Sequence, residues 1–254
     1  MAPAYRFVAL TDVGRQRANN EDAVLVDPDH GLAVLADGMG GYNAGEVASA
    51  LAVDLIAAGM VRWLDQAEGG GARDVRRAME ICVDDANQAI FEAAHANAAY
   101  LGMGTTLVMA VVRGDGAVIG HVGDSRAYRW RAGQLVQLTR DHSLLQEQID
   151  IGLITPAEAA ASGNRNLVTR ALGVEDTVLL ELREVSLAPG DVLLLCSDGL
   201  NDMVTDGDIA AVLAVPAPLH AKAQRLLDEA NARGGRDNVS VVLIGMPDLS
   251  EITH

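Results

Sequence analysis

The chain has 254 residues, half of them hydrophobic, with 19 Lys and Arg against 35 Asp and Glu for a net charge of −16. Such a chain can bury a substantial core, which excludes global disorder, and its acidic balance speaks against a surface built to follow nucleic acid. Lys222 is the only lysine, which excludes a G-K-[ST] phosphate loop, a Schiff-base lysine and a kinase-type lysine, so any cation acting on a substrate is an arginine.

In chain order, short apolar runs at 5–11, 23–27 and 31–36 predict strands. Residues 44–65 predict an amphipathic helix whose core-facing stripe is Val47, Leu51, Leu55, Ala58 and Val61. A second helix is predicted over 73–97, with Val75, Met79, Cys82, Ala86, Ala89, Ala93 and Ala96 inward. The G-G-G at 69–71 breaks the two and predicts an antiparallel pair. Further strands are predicted at 105–113, 116–123, 125–130, 134–138, 178–187, 191–196 and 239–245. Turns R-G-D-G at 113–116 and R-A-G at 131–133 make hairpins and an antiparallel sheet. Residues 143–172 read as an inserted flap with helical pieces near 143–150 and 156–161. Helices are expected again at 206–214 and 219–232, separated by Pro216 and Pro218. Strands grouped before and after a helical pair indicate an α+β fold, and the lack of repeats or linkers indicates one domain over 1–254. No basic and apolar leader opens the chain and no apolar run approaches membrane length, so a cytoplasmic protein is expected. Cys82 and Cys196, far apart and outside any C-x-x-C, fit a reducing compartment.

The informative pattern is where the carboxylates fall. Asp37, Asp124 and Asp198 each follow an apolar run, while Glu21 and Asp22 precede A-V-L-V and Asp237 precedes V-S-V-V-L-I. One such aspartate is an ordinary turn residue, but strand ends converge on a shared edge, and carboxylates gathered there repel one another unless cations neutralise them. An oxygen-only set favours Mg²⁺ or Mn²⁺ over zinc, and the six histidines are scattered without a metal-binding spacing. Two hard ions in a carboxylate cluster are a recurrent apparatus for hydrolysing phosphate esters. Arg17, four residues before Glu21, is the nearest candidate to hold the phosphate. G-M-G-G at 38–41 lacks dinucleotide-loop spacing, and its glycines are expected to let backbone pass close to a metal.

D-V-G-R-Q-R-A-N-N-E-D at 12–22, A-D-G-M-G-G at 36–41, G-E-V-A-S at 45–49, G-T-T at 104–106, G-D-S-R-A-Y at 123–128, D-H-S at 141–143, R-N-L-V-T-R-A-L-G at 165–173, S-D-G-L-N-D at 197–202 and D-N-V-S at 237–240 occur in one order. Together they resemble the type 2C, metal-dependent protein serine/threonine phosphatases (PPM) in their bacterial form, over residues 5–246. The resemblance implies a four-layer αββα sandwich, two antiparallel β-sheets flanked by antiparallel helix pairs. It implies Mn²⁺ or Mg²⁺ at two core sites, with Asp37 bridging, the Gly38 carbonyl completing one shell and Asp198 and Asp237 the other. Glu21 and Asp22 would bind metal-coordinated water, Arg17 would clamp the phosphate, and a third, weaker metal would lie near Asp124 and Asp198 with Asp202 outside it. The implied reaction is hydrolysis of phosphoserine and phosphothreonine by a metal-bridging hydroxide, on phosphoproteins made by cognate kinases; a monomer is expected, and charge and hydropathy speak against nucleic acid or membrane as partners. Met39 stands where animal members carry a histidine, and Tyr42 and Ser162 stand where bacterial members often do. The resemblance therefore assigns protonation of the leaving oxygen to water. Two rivals remain at this point: a catalytically weak homologue serving as a regulatory phosphoprotein-binding module, and a di-metal nuclease or phosphodiesterase, which the charge of −16 disfavours.

Overall fold

A computed structural model describes residues 5–41, 44–66, 71–162 and 167–247. Tyr42, Arg165, Asn166 and most of the G-G-G break, all singled out above, lie outside the described residues. The strands are β1 (Arg6–Asp12), β2 (Asp22–Asp27), β3 (Leu32–Met39), β4 (Gly104–Thr105), β5 (Leu107–Arg113), β6 (Gly116–Val122), β7 (Arg126–Arg131), β8 (Gln134–Gln137), β9 (Glu181–Ser186), β10 (Val192–Cys196) and β11 (Val239–Gly245). The helices are α1 (Ala44–Gln66), α2 (Ala72–Ala96), α3 (Leu144–Asp150), α4 (Pro156–Ala161), α5 (Asp198–Asn201), α6 (Asp206–Ala214) and α7 (Leu219–Ala232).

The strands form two antiparallel sheets, one ordered β1-β11-β10-β7-β8 and the other β2-β3-β5-β6-β9 with β4 extending the pairing of β3. The central strands are apolar on both faces because each face meets a different layer. On β3, Leu32, Val34 and Ala36 join the cluster packed under α1 and α2, while Ala33 and Leu35 face the other sheet. On β10 and β11, Leu193, Leu195, Val242 and Ile244 face between the sheets, and Leu194, Cys196, Val241 and Leu243 meet α6 and α7. Period-2 alternation thus feeds three apolar layers, and the fold is an α+β sandwich of helices, two sheets and helices.

Two expected helix faces are corrected. In α1 the buried stripe is Ala48, Ala52, Ile56 and Met60, while Leu55 and Ala58 are exposed and Val47, Leu51 and Val61 flank the core. Small side chains let the helix lie close on β3, so the bulky residues flank the contact instead of centring it. By length and composition α1 could cross a membrane, but here its alanine face is buried in the layer shared with β3 and α2. In α2 the predicted stripe holds through Val75, Met79, Cys82 and Ala86, then passes to Ile90 and Ala94 in place of Ala89, Ala93 and Ala96. The strict 3-4 stepping chosen from the sequence drifted off a 3.6-residue turn.

The segment 143–172 does carry two short helices. Ser143 caps α3 by accepting from the Gln146 amide, and Thr155 and Glu158 cap α4 reciprocally. Its base is pinned by backbone hydrogen bonds from Leu144 to Leu167 and from Thr169 to His142. The four-residue α5 beginning at Asp198 is an element the sequence does not announce.

Candidate active site at the shared rim of the sheets

The topology brings the acidic strand ends of both sheets to one rim. Asp22 on β2 stands opposite Asp37 on β3 in the ladder. From the other sheet, Ser197 and Ser240 donate to Asp22 Oδ2 at 2.8 and 2.6 Å. The sheets are therefore stitched together at the carboxylates themselves. Asp124 follows β6, Asp198 follows β10 and Asp237 lies two residues before β11. Asp124 is buried, while Asp22, Asp37 and Asp198 sit deep with part of each residue still reached by solvent.

Burial and mutual repulsion shape the protonation of this group. Desolvation first, then Asp22, Asp198, Asp124 and Asp237, pushes Asp37 well above the usual carboxylate range. Desolvation, then Asp124, Asp237, Asp202 and Asp22, does the same to Asp198. Desolvation, then Asp141, lifts Asp124 to about 6. Asp22 also rises to about 6 by burial, against the lowering effect of the serine hydrogen bonds. Sidechain oxygens Oδ1 of Asp22 and of Asp198 are buried with no hydrogen-bond partner. Orphaned oxygens in a mutually repelling set are what a hard cation would satisfy, so the residues present fit divalent metal.

Arg17 reaches the same rim: its Nη2 lies 2.6 Å from Asp237 Oδ2, and Glu21 and Asp37 act on it electrostatically. Glu21 is positioned through its backbone, which accepts from the Gly38 amide and donates to Asn238 Oδ1 at 2.8 Å. Asp202 lines a polar cleft of about 320 Å³ together with Asp124, Asp198 and the flap residues Gln146 and Ile149. All the residues expected at the site, Arg17, Glu21, Asp22, Asp37, Gly38, Asp124, Asp198, Asp202 and Asp237, thus come to one region.

Of the groups that support the site, the sequence marks G-T-T at 104–106 as a structural strand opening beneath it, and leaves the others unread. Asn238 donates to the carbonyls of Val13 and Asn19 while accepting from Glu21, so one amide fastens the loop that carries Arg17. Asn238→Ala strands those groups and is expected to cost about 2–3 kcal/mol in chemical denaturation. It should also raise the KM for aryl phosphate, because the Arg17 loop loses its anchor. Thr106 Oγ1 accepts from the Asp37 amide and Thr105 donates to the Asp37 carbonyl, so G-T-T locks the strand position of Asp37. Arg126 grips Asp141 bidentately, at 2.9 and 2.6 Å, beside Asp124. Asn238 and Ser240 both lie in D-N-V-S, so the motif carried a signal beyond its aspartate. At Gly38 a Cβ would stand 2.1 Å from the Gly45 carbonyl oxygen, so the glycine also admits the first turn of α1.

A separate group, His121, His142 and Glu181, lies beside the flap base. The two imidazoles stack at 4.7 Å and 14°, and nearly parallel rings cannot aim their lone pairs at one ion. His142 Nδ1 accepts from the Gly123 amide at 3.0 Å, and its Nε2 lies 3.1 Å from Arg170 Nη1 and 3.2 Å from Glu181, so both ring nitrogens are already engaged by protein groups.

A family model described as Protein phosphatase 2C matches residues 13–236. The chain belongs to the protein phosphatase 2C family. Protein phosphatase PhpP of Streptococcus pneumoniae is 38% identical to this phosphatase over 240 residues, 93% of this chain and 96% of that protein. Serine/threonine protein phosphatase PstP of Mycobacterium tuberculosis is 41% identical over 244 residues, 96% of this chain and 45% of the relative. Among solved structures, M. tuberculosis PstP/Ppp superposes with a TM-score of 0.87 at 40% identity, covering 96% and 99% of the two chains. A PstP catalytic domain in complex with two manganese ions gives a TM-score of 0.84 at 38% identity, covering 96% and 99%. The phosphatase is a protein serine/threonine phosphatase of the bacterial type, and it shares its sandwich with these structures.

Proposed function

We propose that the rim carboxylates hold divalent metal and that the phosphatase hydrolyses phosphoserine and phosphothreonine in one displacement, without a phosphoenzyme. The observation that carries this is the gathering of acids from both sheets, with one oxygen of Asp22 and one of Asp198 buried and unsatisfied. Asp37, Asp198, Asp237 and the Gly38 carbonyl would hold two ions, Mn²⁺ or Mg²⁺, with Glu21 and Asp22 ordering water around them. Asp124, Asp198 and Asp202 would form a third, weaker site. Bound ions would supply acidified water as the nucleophile and neutralise charge developing on the phosphate. Asp22, its Oδ2 already engaged by Ser197 and Ser240, keeps Oδ1 for an outer role.

Arg17 orients the phosphate. Its guanidinium is half exposed and already directed by Asp237, so it can present a flat pair of donors to phosphate oxygens. A cysteine nucleophile is disfavoured: Cys196, the cysteine next to the site, is buried and its thiol is pushed up to about 12 by desolvation. Arg17→Ala is expected to raise the KM for p-nitrophenyl phosphate by about tenfold or more with a smaller change in kcat, since the clamp acts on bound substrate as well as on the transition state. An unchanged KM would remove Arg17 from this role.

The setting that suits this reading is the cytoplasm of a bacterium, with one phosphatase domain opposing serine/threonine kinases. The decisive experiment is hydrolysis of p-nitrophenyl phosphate and a phosphothreonine peptide under metal titration. Turnover should depend on Mn²⁺ or Mg²⁺ and vanish with chelator, and chelator-insensitive turnover would overturn the proposal.

A further inference from the structure

A second hollow, of about 560 Å³, adjoins the acid cluster and differs from it in chemistry. Met39, Val168, Val174, Val178 and Leu179 give it an apolar wall, and Arg170 and Glu175 place charge along its edge. Two features set it apart from a gap in packing. Val174 is 53% exposed and Leu179 69% exposed, so large apolar side chains are held in water at its mouth. Its floor is also built closely, because a Cβ on Gly104 would meet Val174 Cγ2 at 2.8 Å and Met39 Cε at 3.4 Å.

The link to the site is Met39. It lies two residues after Asp37 on β3 and pairs with Gly104 in unbroken register with the rest of that strand. Residues i and i+2 of a strand point to the same face about 7 Å apart. Met39 thus continues the face that carries Asp37, and the hollow begins where the acid cluster ends. An extended peptide follows the same rule, its side chains recurring on one face every two residues at the same spacing. A substrate that lies extended along β3 with its phosphate over Asp37 sets the side chain two residues away over Met39.

We infer that this hollow is a substrate subsite that receives an apolar side chain two residues from the phosphorylated serine or threonine. The inference rests on the phosphatase reading of the carboxylate rim. The occupant is a segment of the phosphoprotein, because the hollow opens at Met39, two residues beyond Asp37 on the same face of β3. Arg170 Nη1 is engaged with the Leu179 carbonyl at 3.3 Å, which keeps that edge closed and leaves the apolar wall open.

The test compares phosphothreonine peptides that are otherwise alanine-rich and carry leucine or alanine two residues before or after the phosphorylated position. The wild-type chain should turn over one leucine peptide with kcat/KM about tenfold above its alanine counterpart, mostly through KM, the range that a few methylenes in an apolar pocket provide. In Val174→Asp with Leu179→Asp this preference should fall to within about twofold, while p-nitrophenyl phosphate, too small to reach the hollow, is hydrolysed as before. Leu179→Gln, at the more exposed wall residue, keeps the test valid if the double variant does not fold, and should lower the preference severalfold. No gain from leucine at either position, or a gain that survives the substitutions, would overturn the subsite. Equal affinity for the unphosphorylated leucine peptide would mark a docking site for another protein and overturn it as well. Failure of the wild type on p-nitrophenyl phosphate with metal would instead strike the reading of the rim, and the subsite with it.

Discussion

Asp37→Asn lowers turnover of p-nitrophenyl phosphate by about a thousandfold or more, an effect of about 4 kcal/mol on the barrier. Asp37 faces repulsion from Asp22, Asp198, Asp124 and Asp237 while its backbone is locked by Thr105 and Thr106. The carboxylate is thus held where four like charges make it unfavourable, a position that stability alone does not explain. The same substitution is expected to raise the melting temperature of the metal-free protein, because removing one charge relieves the others. Activity and stability moving in opposite directions separates a working acid from a structural one. Near-full turnover in Asp37→Asn, or a loss of stability without metal, would defeat this account.

Added Mn²⁺ stabilises the protein more at pH 7.5 than at pH 5.5, with the difference reaching several degrees in melting temperature. The sign follows from the rim. Asp22 and Asp124 titrate near 6 in the folded chain, and Asp37 and Asp198 well above their ordinary value of 3.8. A raised carboxylate binds its proton more tightly folded than unfolded, so metal-free stability falls as pH rises from about 4 through 6. For Asp22 and Asp124 this is a few kcal/mol in all, by order of magnitude. His121 and His142, pulled down by burial, oppose the trend on the acid side. Divalent ions replace the protons and lift the penalty, so their benefit is greatest where the acids would otherwise be bare. Melting curves with chelator and with saturating Mn²⁺ at the two pH values measure it, and an increment equal at both pH values would show that the ions do not displace these protons.

How far the sequence reveals this molecule depends on the range of the interaction involved. β11 and α7 are legible to the residue because a continuous apolar run and Pro218 are local signals, and the acids are legible because each ends or begins an apolar run. The face of α1 is not. Hydrophobic bulk points to Leu55, whereas close packing on β3 chooses Ala48 and Ala52. The tie from Asn238 to Val13, Asn19 and Glu21 joins residues more than 200 positions apart and exists only once β11 is in place. Asp22 shows the same limit. It reads as one carboxylate among several, and only the approach of Ser197 and Ser240 from the opposite sheet distinguishes its two oxygens.

The apolar layer between the sheets therefore acts as a spacer for chemistry. Leu35, Val108, Leu195 and Val242 carry no charge of their own, yet their thickness sets the gap across which Asp37 faces Asp198. Slippage of one sheet by a single residue, about 3.3 Å, would carry half of the acids out of register with the rest. Catalytic competence in this architecture is a gauge of how faithfully two independent ladders are aligned, and side chains remote from phosphate set the calibration.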